Sequence, residues 1–120
     1  MMQRMIAMGS ASGGGGASID LNNCESFKYT IAANSTQAVT LTNKVKYIVM
    51  TCQYSSYGIW LYIVDVENNT GAYFGLYQGS VQAYAVSTPA AVGVTITSDT
   101  SFVISNSIAA SRDYLVCCYY

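Results

Sequence analysis

Three stretches of this chain, residues 45–53, 57–66 and 113–120, are apolar at consecutive positions rather than alternate ones. Successive side chains of a strand point to opposite faces. In 57–66 this puts Ile59, Leu61 and Ile63 on one face and Trp60, Tyr62 and Val64 on the other. In 45–53, Val45, Tyr47 and Val49 oppose Ile48, Met50 and Cys52; in 113–120, Tyr114, Val116 and Cys118 oppose Leu115, Cys117 and Tyr119. A strand in a two-layer sandwich buries only its inner face. The second apolar face needs a cover, and another copy of the chain is the simplest one. If the three strands are neighbours, that face is an interface, and Tyr47, Trp60, Tyr62, Val64 and Tyr119 are its expected residues.

The rest of the chain alternates in the ordinary way. Phe27, Tyr29 and Ile31 share a face against Ser26, Lys28 and Thr30, and Val39 and Leu41 point inward against Thr40 and Thr42. Val92, Val94 and Ile96 alternate with Gly93, Thr95 and Thr97, followed by Phe102 and Ile104 on one face. Turn signals separate these runs. The strongest is Glu67-Asn68-Asn69-Thr70-Gly71, since Asn and Gly tolerate positive φ; Ser87-Thr88-Pro89 holds the single proline and ends a strand. No segment shows a capped helical period. About eight short strands at this spacing predict an all-β, antiparallel, jelly-roll-like β-sandwich over residues 19–120. Residues 1–8 are Met-rich and 9–18 read GSASGGGGAS, so 1–18 is expected to be a flexible leader or an attachment peptide.

Charge narrows the function. Five basic and six acidic residues and no histidine leave a net charge of −1, with no basic patch for nucleic acid. So weakly charged a surface repels its own copies little. Eleven tyrosines supply apolar area with a polar tip, which suits interfaces. Cys24, Cys52, Cys117 and Cys118 lack a CxxC spacing, and the chain has no histidine to complete a zinc site. They read as small buried hydrophobes in a reduced compartment, a disulfide from Cys24 to one of the C-terminal pair being the alternative. The apolar run Met5–Met8 is too short for a signal-peptide core, and the longest apolar stretch, Ile59–Val66, has the length of a strand. Synthesis in a bacterial cytoplasm and no membrane span are the expectation.

Catalytic machinery is not legible. Asp65 and Glu67 sit at a strand end beside a turn, where solvated carboxylates are ordinary. A Ser or Cys nucleophile has no histidine base here, and the run GGGG lacks the Lys-Ser/Thr of a phosphate loop. No enzyme, metal or cofactor is expected. Carbohydrate contact has more support, because exposed aromatics stack on sugar rings and amides bond the hydroxyls. Tyr54, Tyr57, Tyr73 and Tyr77 lie at strand ends or loops, with Asn68, Asn69 and Gln78 nearby.

The pattern as a whole resembles a family. The Met-rich start MMQRMIAMG, the glycine run, the Thr-rich pair NSTQAVTLTNKVKYIVM, the segments GLYQGSVQAYAV and GVTITSDTSFVISNS, and the apolar ending RDYLVCCYY carry the resemblance. It is to the small β-sandwich proteins encoded among tail and head-accessory genes of phages and prophages of gut Gram-positive bacteria. The resemblance implies a virion component: a fibre tip, decoration or receptor-binding knob, commonly a homotrimer, joined through its leader to other virion proteins and placed to meet a host surface glycan. A free lectin-like carbohydrate-binding module is the alternative. No family motif assigns binding residues.

Overall fold

A computed structural model describes residues 23–54, 58–77, 80–86 and 88–120, of which 54, 77 and 80–86 enter by their backbone alone. The leader 1–18, Tyr57 and Gln78 lie outside the described residues. The described residues form nine strands: β1 (Cys24–Ile31), β2 (Ser35–Thr40), β3 (Tyr47–Tyr54), β4 (Gly58–Asp65), β5 (Thr70–Tyr77), β6 (Ser80–Val86), β7 (Val94–Ser98), β8 (Ser101–Asn106) and β9 (Arg112–Tyr119). They make two antiparallel sheets, one of six strands in the order β1-β9-β3-β4-β5-β6 and one of three in the order β2-β8-β7. The protein is an antiparallel β-sandwich. The three doubly apolar stretches are adjacent, as β9-β3-β4.

The chain changes sheet after β1, β2, β6 and β8. Local chemistry fixes the turns. Asn34 and Asn69 adopt left-handed φ values of 52° and 53°, which asparagine tolerates better than most residues. At the β4–β5 turn, Asp65 accepts the Asn68 backbone N–H at 3.2 Å and its side-chain amide at 2.7 Å. Gly71, expected to serve this turn, lies instead inside β5. A Cβ there would press on Thr88 O, Val92 Cγ2 and Pro89 Cα, so glycine lets the 3-10 turn Pro89–Val92 sit on the strand. Gly93 closes that turn at φ 82°, and its carbonyl accepts the Ser105 N–H at 2.8 Å.

The core fills the space between the sheets. Val39, Val94, Phe102 and Ile104 come from the three-stranded side, and Ile48, Met50, Cys52, Val64, Val116 and Cys118 from the other. The alternating strands face as expected: Ile31, Val39, Leu41, Phe102 and Ile104 are buried. Cys52, Cys117 and Cys118 are free thiols, so no bridge joins Cys24 to the C-terminal pair.

One buried polar residue ties the crossover from β8 to β9. Asn106 donates to the carbonyls of Ile31, Ala32 and Ala110 at 3.1, 3.1 and 2.9 Å and accepts the Ile108 N–H at 3.2 Å. An aliphatic side chain here strands those groups away from water. Asn106→Leu is expected to destabilise the protein by about 2–3 kcal/mol, read as a lower urea midpoint with an unchanged slope. A loss below about 0.5 kcal/mol, the range of ordinary surface changes, would show that water replaces the amide.

Candidate functional site

Two surfaces stand out, on opposite faces of the six-stranded sheet. The first is its outer face. Register aligns Leu115, Thr51, Leu61 and Phe74 in one row across β9, β3, β4 and β5. Cys117, Val49, Ile63 and Ala72 make the next row, and Gln53, Ile59 and Leu76 another across β3 to β5. Among the described residues seven large hydrophobics are exposed. Six of them, Tyr47, Ile59, Ile63, Phe74, Leu76 and Leu115, belong to this face, with 37–52% of their surface open. Charge appears only at its margins, as Lys28 on β1, Asp113 held by the Thr30 hydroxyl at 2.6 Å, and Asp65 at the turn.

The five residues expected to share an interface are divided by the structure. Tyr47 and Tyr119 pair in register and lie on the outer face. Trp60, Tyr62 and Val64 lie on the inner one, paired with the buried Cys52, Met50 and Ile48. Val64 is 0% exposed and belongs to the core. The outward residues of β4 are Ile59, Leu61 and Ile63. Strand alternation separates the two sets and is silent on which turns outward.

The second surface is a cleft of about 550 Å³ at the Arg112 end of β9, where the three-stranded sheet stops short of covering β4 and β5. Trp60, Tyr62 and Tyr73 form one wall. Their rings are neighbours: Trp60 and Tyr73 are 5.6 Å apart and tilted by 55°, Tyr62 and Tyr73 6.1 Å apart and tilted by 34°. A Cβ at position 75 would overlap Cζ3, Cε3 and Cη2 of Trp60, so Gly75 is the seat on which the indole rests. Opposite stand the 3-10 turn (Ala91–Gly93) and the end of β8, where Ile104 and Asn106 face inward and Ser107 and Ile108 are exposed. Met50, Arg112 and Tyr114 form the floor. Arg112 is only 8% exposed, and it and Tyr114 both lie beside the Cys52 thiol. Burial pushes the Tyr62 hydroxyl up to about 12 and raises Tyr114 further. Both phenols are neutral donors and acceptors at physiological pH.

Of the tyrosines expected to meet sugar, Tyr73 lines this cleft. Tyr54 and Tyr77 close β3 and β5 by their backbone, and Tyr57 lies outside the described residues. Trp60, Tyr62 and Tyr114 were not among the glycan residues expected from sequence. A signal for Trp60 existed in the glycines of TGAYFGLY, since glycine inside a strand marks a close approach. No group of three or more His, Cys, Asp or Glu able to hold a metal occurs among the described residues. No helix among them is long and apolar enough to cross a membrane.

No protein-family model matches the chain, and no curated protein sequence matches it. Solved structures match at low similarity. Galectin LEC-6 of Caenorhabditis elegans matches with TM-score 0.40 and 8% identity over 87% of this chain and 96% of that one. The mitogen derived from Yersinia pseudotuberculosis gives 0.34 and 11% over 81% and 85%. The tailspike protein of Acinetobacter phage vB_ApiP_P1 gives 0.40 and 8% over 79% of this chain and 21% of its own.

Two predictions follow from the packing. Gly75→Val is expected to cost about 1–3 kcal/mol by overpacking and to change the Trp60 emission maximum as the ring is pushed off its seat. Equal emission in both proteins would place the indole elsewhere. The second concerns alkali. Burial raises Cys118 from about 9 to about 12 and Tyr62 from 10 to about 12. Groups raised on folding stabilise fully below their unfolded pKa and lose that contribution as pH climbs through the folded value. Thermal midpoints should therefore hold to about pH 9 and fall between 9 and 12, and the fall should be shallower in Tyr62→Phe.

Proposed function

We propose that this chain is a structural and adhesive component of a bacteriophage virion that self-associates through the outer face of its six-stranded sheet. The observation that carries the reading is the gathering of six of the seven exposed large hydrophobics on that one face. Patches of this kind are uncommon on monomers. Its four apolar strands, about 4.8 Å apart and eight residues long at about 3.3 Å each, cover about 500 Å², against the about 800 Å² that each partner gives to an ordinary stable interface. The occupant is a second copy of the same chain. Thr, Gln and Val between the aliphatic rows carry no charge to oppose it.

Two closed arrangements bury the face: a twofold stack of sheets, or three copies with their faces turned toward a threefold axis. The phage resemblance favours three. In this reading function is association rather than chemistry, the virion placement rests on the sequence resemblance, and the leader 1–18 joins the domain to other virion proteins.

Light scattering of the full chain is expected to give a multiple of 12.9 kDa. Phe74→Lys and Leu115→Lys should each weaken association by about 2 kcal/mol, and together should release a folded monomer with an unchanged far-UV spectrum. A wild-type protein that stays at 12.9 kDa at micromolar concentration sinks the self-association reading. The virion placement is tested separately, by mass spectrometry of purified particles for peptides of this chain.

A further inference from the structure

The geometry points to the cleft between the sheets as a binding site for a single pyranose ring of a surface glycan, stacked on Trp60 and Tyr73 and hydrogen-bonded from the opposite rim. The volume, about 550 Å³, falls within the range of about 300–1,000 Å³ typical of small-ligand pockets. The decisive feature is the division of its walls. One side is a bank of aromatic rings, preset because Gly75 admits the Trp60 indole where a Cβ would overlap it and Tyr73 stands 5.6 Å away, tilted by 55°. The other side is formed by Ile104 and Asn106, which face inward from β8, with Ser107 exposed at the rim. A pyranose has the same division: an apolar C–H face fits an aromatic platform, and equatorial hydroxyls at the ring edge exchange hydrogen bonds with short polar side chains.

The floor adds polar groups. Arg112 supplies N–H donors near the bottom, and the neutral phenols of Tyr62 and Tyr114 both donate and accept. The far rim is held in place, because Asn106 fixes the backbone of Ile108 and Ala110 beside it. A site that needs little ordering loses little affinity on binding. The inference does not depend on self-association, since the cleft and the apolar face lie on opposite sides of the sheet.

Trp60 is the sole tryptophan, so its emission reports on the cleft directly. The full-length protein is titrated with methyl glycosides of glucose, galactose, N-acetylglucosamine, rhamnose and glucuronic acid at millimolar concentration. At least one is expected to shift the emission saturably. Ser107→Phe, an exposed change that fills the mouth, should weaken that response by about tenfold or more, while light scattering stays unchanged. A flat titration with every sugar overturns the proposal. A saturable shift that Ser107→Phe leaves intact overturns it too, by placing the ligand elsewhere. So does a response to an alkyl maltoside that an alkyl sulfate of the same chain reproduces, because the tail rather than the ring is then the ligand. A wild-type protein of 12.9 kDa that still gives a saturable, Ser107→Phe-sensitive shift counts against self-association alone.

Discussion

Six strands on one side of this sandwich face three on the other, and the inner surface of the larger sheet must still be kept from water. The solution is graded along the sheet. Where β2, β8 and β7 provide cover, the inward positions of β9 and β3 are fully buried and filled with Ile48, Met50, Val116 and Cys118. Beyond the cover, the inward positions of β4 and β5 become Trp60, Tyr62 and Tyr73, which are half-buried. Aromatic rings with polar tips suit such a boundary, because one end packs in the core while the other stays wet. The 3-10 turn supplies a partial roof, seated on Gly71. The cleft is thus a direct consequence of unequal sheets rather than a separate feature of the loops.

The outer face follows from the same inequality. A broad sheet in a two-layer protein has one whole side without a second layer, and here that side is aliphatic across four strands. Most antiparallel sheets solve this with polar residues at alternate positions. This one places Thr51 and Gln53 among Val49, Leu61, Ile63, Phe74 and Leu115, which softens the surface without making it polar. The low overall charge works in the same direction, since copies of the chain repel one another little.

The sequence was most legible where it was most regular. Alternation placed Val39, Leu41, Phe102 and Ile104 in the core, and double apolarity marked β9, β3 and β4 as special. That these three lie side by side is a long-range fact that their residues do not state. Which face turned outward was misread for a physical reason. Aromatics are enriched at interfaces, so Trp60 and Tyr62 looked like contact residues, yet here they line the ragged edge of the core and the aliphatic set faces out. Asn106 could not be found at all: one asparagine in a Ser- and Asn-rich stretch carries no mark of the four hydrogen bonds it makes. Gly71 was read as turn chemistry because it follows two asparagines, although its role is a close approach within β5.

Strand β4 joins the two surfaces, because its odd-numbered residues face outward and its even-numbered residues line the core and the cleft. Single substitutions can therefore separate association from cleft binding, but a one-residue slip in register would exchange them entirely. The chain has a device against that slip. Trp60 fits only opposite a glycine, and Gly75 is its register partner on β5. A shift by one residue would bring the indole to Phe74 or Leu76 and turn it to the opposite face, so its place over Gly75 would be lost. Val64 does the same on the other side, where its partner Ile48 is completely buried and any slip would expose both. The contact that prepares an aromatic platform in the cleft is thus also the one that holds Ile59, Leu61 and Ile63 on the opposite side. Weakening it would disturb both surfaces at once, although they share no side chain.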